Sequence, residues 1–145
     1  MYTISVFPIE FIEIEPGNFH LFIYVKIGRK KARLLLDTGA SKTAFDSNKI
    51  LEYAHAHSSE PTEMHSVGLG SSQVHTQLKD LGSIKFGEIK LSKIEVAVLD
   101  LSHVNSAYKM LGLPEIVGVL GSDILVNLKA ILNLGKMEIK LKQKV

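Results

Sequence analysis

One stretch of the 145-residue chain sets reactive side chains at the end of an apolar run: Leu34-Leu35-Leu36-Asp37-Thr38-Gly39-Ala40. An aspartate that closes an apolar strand and enters a turn permitted by glycine sits at the lip of a core. There its carboxylate must be hydrogen-bonded, desolvated or functional. A turn aspartate capping its own backbone is the plainer reading. Composition narrows the chemistry. The chain has no cysteine, which removes thiol nucleophiles, thiolate metal sites and disulfides and leaves carboxylates, hydroxyls and histidines. There is no Gly-x-Ser-x-Gly elbow, and Gly68-Leu69-Gly70-Ser71-Ser72 lacks the lysine of a phosphate loop. His55 and His57 are spaced two apart on an expected helix, so they point apart rather than forming a metal pair. No metal or cofactor is expected.

A second segment, Ile116-Val117-Gly118-Val119-Leu120-Gly121-Ser122-Asp123-Ile124-Leu125, is an apolar strand that ends in glycine and runs into a helix. Together the two segments resemble the retropepsin-like aspartic proteases, the single-domain relatives of pepsin that include the retroviral enzymes. The resemblance spans about Phe19 to Leu141. It implies that Asp37 is the acid/base carboxylate, that Thr38 braces the paired loops through its hydroxyl, and that Gly39 lets the backbone approach carboxylate and substrate. Leu120 and Gly121 would support the loop. The resemblance also implies a flap between the motifs, formed by Met64 to His75 and turning near Gly70. Ala40, Gly68, Leu69, Gly70, Ser71 and Ser72 would then meet an extended peptide substrate. Such a hairpin would set His65 opposite His75.

Three departures from the retroviral pattern stand out. Ser122 occupies the place of an arginine, and Ser41-Lys42 replaces the acidic pair that such an arginine holds, so the buried ion pair of those enzymes is not expected. The segment from Ser102 to Pro114 reads as an extra helix, nearer the cellular and bacterial members. Peptide hydrolysis in the family needs two carboxylates about 3 Å apart that share a proton, one activating water and the other protonating the substrate carbonyl. Asp46, Asp80, Asp100 and Asp123 lie in no matching motif. The second carboxylate must therefore be another copy of Asp37, brought to a twofold axis by a homodimer. The implied activity is that of an aspartic endopeptidase on polypeptide. A catalytically silent, dimeric peptide-binding module of the same fold is the rival reading. Ala40 cannot donate a hydrogen bond to Asp37 as serine would, which predicts a weakly rather than strongly acidic pH optimum.

The elements that must position these residues read as mostly β, within a single domain over residues 1–145. The resemblance implies the closed barrel of one acid-protease lobe, with a flap hairpin and two to three short helices. Ile9 to Glu15 alternates with a slip between Phe11 and Ile12, which predicts a bulge there. Leu21 to Ile27 is apolar on both phases except at Lys26, as in a strand covered on two sides. Gly28-Arg29-Lys30-Lys31 turns the chain into Ala32 to Leu36. At the end, Lys136, Lys140, Lys142 and Lys144 share one phase and Met137, Ile139 and Leu141 the other. Asp46 and Ser47 are placed to cap a helix running toward His57. Ser102 caps a second helix carrying Val104, Ala107, Tyr108 and Leu111, and a third starts at Ser122.

With 17 basic and 15 acidic residues the formal charge is +2, too weak a field to imply nucleic acid or a membrane surface as partner. No apolar run approaches the roughly 18 residues of a membrane span, and no signal-peptide pattern opens the chain. A cytoplasmic location is expected.

Overall fold

Short runs rich in Ile, Val, Leu and Phe, broken by Gly and charge, favour extended chain. The computed structural model describes residues 1–53, 63–69 and 72–145, with 63–69 and 72–80 as backbone only. Among the described residues it is mostly strand. β1 (Tyr2–Pro8), β12 (Ile131–Asn133) and β13 (Glu138–Lys144) form a small antiparallel sheet in the order β1-β13-β12. In β13, Ile139 and Leu141 are buried while Lys140 and Lys144 are exposed, as the alternation requires.

The larger sheet carries the rest and curls into a half-barrel, which gives the mostly β, retropepsin-like architecture expected, with the barrel open rather than closed. β2 (Glu10–Glu15) pairs with β3 (Asn18–Ile27), which turns into β4 (Lys30–Leu36). Ile27 pairs with Lys30, so only Gly28 and Arg29 make the turn. Gly28 has φ +62°, and glycine at the first of two loop positions is the signature of a tight hairpin. The register of β2 shifts between Glu13 and Glu15, two residues beyond the predicted slip at Phe11.

β5 (Ala44–Asp46) is followed by α1 (Ile50–Tyr53), and β6 (Glu63–Leu69) pairs antiparallel with β7 (Ser72–Asp80). β8 (Ser83–Phe86) and β9 (Ile89–Ser92) form a hairpin docked on β3. Then come β10 (Glu95–Leu99), α2 (Ser102–Met110), β11 (Gly118–Leu120) and α3 (Ser122–Asn127). β11 is inserted between β4, to which it is parallel, and β5, to which it is antiparallel.

The main core beneath the sheet includes Ile23, Leu34, Phe45, Ile84, Phe86 and Leu120, all fully buried. A second cluster of Phe22, Leu101, Tyr108 and Ile116 seats α2. Two helix starts differ from expectation. Asp46 is a buried strand residue whose carboxylate accepts a hydrogen bond from Asn48 N at 3.1 Å. Ser102 does not cap α2; Asp100 Oδ1 instead accepts a hydrogen bond from Ser102 N at 2.9 Å. Among the described residues no helix is long and apolar enough to cross a membrane.

Candidate active site

Asp37 follows directly on the buried end of β4 and is itself exposed. Its position is set by the neighbouring parallel strand: Leu36 pairs with Leu120, and Asp37 N donates to the Leu120 carbonyl at 3.0 Å. The turn then closes on itself. Gly39 N donates to Asp37 Oδ1 at 2.9 Å, and Ala40 N donates to the Asp37 carbonyl at 3.2 Å. A side chain at Gly39 would bring a Cβ within 3.3 Å of that carboxylate oxygen. Thr38 stays exposed beside it and Ala40 is half-buried. The carboxylate thus projects from a turn in which one amide already holds one of its oxygens, a geometry that keeps it oriented and open to solvent.

The second motif clamps this turn from the other side. Ser122 N donates to the Ala40 carbonyl at 2.7 Å. Gly121 N donates to Thr43 Oγ1 at 3.0 Å, while Thr43 N and Oγ1 both donate to Asp123 Oδ1, at 3.0 and 2.7 Å. Gly121 has no room for a side chain, because a Cβ there would lie 2.7 Å from the Ala40 carbonyl oxygen and 2.9 Å from the Lys42 carbonyl carbon. Two motifs far apart in sequence therefore form one rigid corner.

Sequence reasoning missed Thr43 and set Asp123 aside as belonging to no motif. Asp123, next to the Ser122 that takes the arginine's place, fastens the loop by accepting both Thr43 donors. The only available signal was a threonine between Lys42 and the apolar Ala44-Phe45, a polar residue due for burial. Lys42 instead pairs with Glu95 at 3.7 Å.

Behind the corner, Asp46 is 1% exposed and fully used. Its Oδ1 accepts from Asn48 N, Asn48 Nδ2 and Leu101 N, and its Oδ2 accepts from Asn105 Nδ2 at 3.2 Å. Asn105 also donates to the Ile116 carbonyl at 3.0 Å and accepts from Ile116 N at 2.8 Å. This network ties β5 and α2 to the strand that delivers the second motif.

Of the residues expected to bind substrate, Gly68 and Leu69 end β6 and Ser72 begins β7, with Leu69 paired to Ser72 and Gly68 to Gln73. Gly70 and Ser71 lie outside the described residues. The register of the hairpin pairs His65 with Thr76 and Ser66 with His75, so the two histidines are not opposite each other. His55 and His57 lie outside the described residues, and among those described no group of three or more acidic or histidine side chains is placed to hold a metal ion.

The chain matches the family described as aspartyl protease over residues 23–124. No curated protein matches it. Among solved structures it is similar to a retropepsin-like aspartic protease from Rickettsia conorii, with TM-score 0.59 and 17% identity, covering 99% of this chain and 94% of that one. It is also similar to the retroviral protease-like domain of Ddi1 from Leishmania major, with TM-score 0.53 and 11% identity over 80% of this chain and 82% of that one. At these identities the likeness is one of fold.

Proposed function

The chain belongs to the aspartyl protease family and has a retropepsin-like fold, and from that premise we propose that it is an aspartic endopeptidase that works as a homodimer. The observation that carries this reading is the exposed Asp37 carboxylate, held by Gly39 N at the end of a buried strand and clamped by the second motif. One such corner supplies one carboxylate. In the proposed dimer, Asp37 of each copy meets its twin across the axis. The two share a proton, one takes a proton from water as it attacks the scissile carbonyl, and the other donates to the carbonyl oxygen. Thr38, exposed next to each Asp37, braces the paired loops. Ala40 and the residues from Gly68 to Ser72 take the extended peptide, the hairpin closing over it as an added strand.

The test is cleavage of a peptide library between about pH 4 and about pH 7, a window that brackets the weakly acidic optimum expected from Ala40, with oligomeric state measured in parallel. The wild-type dimer is expected to cut, and Asp37→Asn to lose activity while remaining folded and dimeric. Cleavage that survives Asp37→Asn would sink the mechanism. A confirmed dimer that binds but never cuts peptides would favour the silent binding module.

A further inference from the structure

Four lysines stand in one line across four neighbouring strands. The register pairs Lys31 of β4 with Lys26 of β3, Lys26 with Lys85 of β8, and Lys85 with Lys90 of β9. Directly opposite positions share a face of the sheet, and strands lie about 4.8 Å apart, so all four stems start within about 15 Å. All four residues are exposed. Like charges set opposite one another weaken a sheet, and a formal charge of only +2 gives no general reason for the arrangement. A local rule broken without local compensation points to function.

The surroundings leave the row's charge available. Lys31 lies over the Tyr24 ring at 4.4 Å. Lys26, Lys85 and Lys90 form no ion pair among the described residues. Glu10, beside Lys31, is engaged by Arg33 at 2.6 Å, which leaves Glu88 in the turn after β8 as the carboxylate sharing the concavity of Lys26, Lys31 and Lys85. The row borders two adjoining concavities. One, of about 430 Å³, is lined by Tyr24, Lys26, Lys31, Lys85 and Glu88. The other, of about 340 Å³, shares Tyr24 and Lys31 and adds the apolar Phe7, Pro8 and Ile9 together with Glu10, whose charge is met by Arg33. Basic and apolar ground therefore alternate within one depression.

We propose that this face is an exosite for an extended polypeptide segment rich in acidic residues. Its carboxylates would meet the lysine row, and the side chains between them would enter the apolar concavity. Lys31 lies six positions before Asp37 on the strand that delivers it, about 20 Å away at the rise of a strand. The segment it selects would thus lie well outside the residues flanking the cleaved bond. That the docked chain is a substrate rests on the peptidase reading; the docking does not. The row holds no arginine, the usual choice for bidentate phosphate contacts, and the Tyr24 ring is covered by Lys31, so no free aromatic platform invites stacked bases. A depression also suits a chain better than a planar bilayer.

The experiment uses the full chain carrying Asp37→Asn, so that binding is read without turnover and failure of the peptidase reading leaves the readout intact. A labelled peptide alternating Glu and Leu is titrated by fluorescence anisotropy beside the same peptide with Gln for Glu. The Glu peptide is expected to bind, and to bind more weakly between about 50 and about 300 mM salt as screening rises. Lys26→Gln with Lys85→Gln should weaken binding roughly tenfold or more, while the thermal midpoint holds or rises because a repulsion is relieved. Lys90→Gln at the sheet edge should give a smaller loss in the same direction. Equal binding of the Gln peptide, or unchanged binding by the folded double variant, overturns the proposal. So does tighter binding of a single-stranded RNA or of phosphatidylserine vesicles than of the Glu peptide.

Discussion

Thr43 gives both of its donors to Asp123, its amide at 3.0 Å and its hydroxyl at 2.7 Å, while the same hydroxyl accepts the Gly121 amide at 3.0 Å. Carboxylate, hydroxyl and amide form a relay from α3 to the loop after Asp37, and Thr43 at its centre is fully buried.

Thr43→Val keeps the shape and removes the hydroxyl, leaving the buried Gly121 amide without its acceptor. The expected cost is about 1–3 kcal/mol in chemical denaturation, with activity falling further than stability because the clamped turn carries Asp37. Thr43→Ser should restore most of both. A valine variant as stable as wild type would show that the relay is not needed.

Gly121→Ala sets a methyl group against the backbone of Ala40 and Lys42, neither of which is a flexible side chain able to step aside. Overpacking of this kind costs about 1–3 kcal/mol. Turnover measured at saturating peptide is expected to drop more steeply than peptide affinity, since the displaced backbone of Ala40 closes the turn that carries Asp37.

Asn105→Ala strips partners from three buried groups at once: Asp46 Oδ2, the Ile116 amide and the Ile116 carbonyl. Unfolding should become easier by roughly 2–4 kcal/mol. Hydrogen exchange should rise first in α2 and in the strand that follows it. Asn105→Asp is the informative companion, because it retains the acceptor for Ile116 N but faces Asp46 with a like charge and is expected to be worse at neutral pH than in acid.

Hydrogen bonds from the Ser102 hydroxyl and amide, and then from Asn48, hold the Asp100 carboxyl below the usual carboxylate range. A group whose folded value is depressed adds stability above its unfolded value, about 3.9, and loses it as pH falls through the folded value. Asp100→Ala should therefore be less stable than wild type at neutral pH, with the two denaturation midpoints converging as pH falls through the depressed folded value. A difference that persists undiminished in acid would mean that the charge of Asp100 does not support α2.

What the amino-acid order made legible was whatever is local. A carboxylate at the end of Leu34-Leu35-Leu36, and a Val119-Leu120-Gly121 strand running into α3, are patterns carried by adjacent residues. The hairpin at Gly28 and the amphipathic β13 are read in the same way. What stayed hidden depends on partners from distant segments. Nothing in its own neighbours marks Thr43 as the partner of Asp123, and Asp46 reads as a helix cap until Leu101 and Asn105 are placed around its carboxylate. The lysine row escaped notice because its members come from separate strands, and alternation within a strand says nothing about register between strands. Asp100 displaced Ser102 as the acceptor at the start of α2 because its carboxylate reaches back to the first helical amide, a choice that propensity alone does not settle.

The contact between Thr43 and Asp123 spans 80 residues of chain, and this has a consequence for the timing of synthesis. A nascent chain that has just exposed Asp37 possesses the residue without the corner that aims it, and it stays so until β11 and α3 have left the ribosome. At roughly 5–20 residues per second that interval lasts about 5–18 s, and closing so long a loop adds an entropic delay of its own. The turn that carries Asp37 is thus among the last parts of the molecule to take shape. Any chemistry that depends on the aimed Asp37 carboxylate would be withheld from the newborn chain by topology alone.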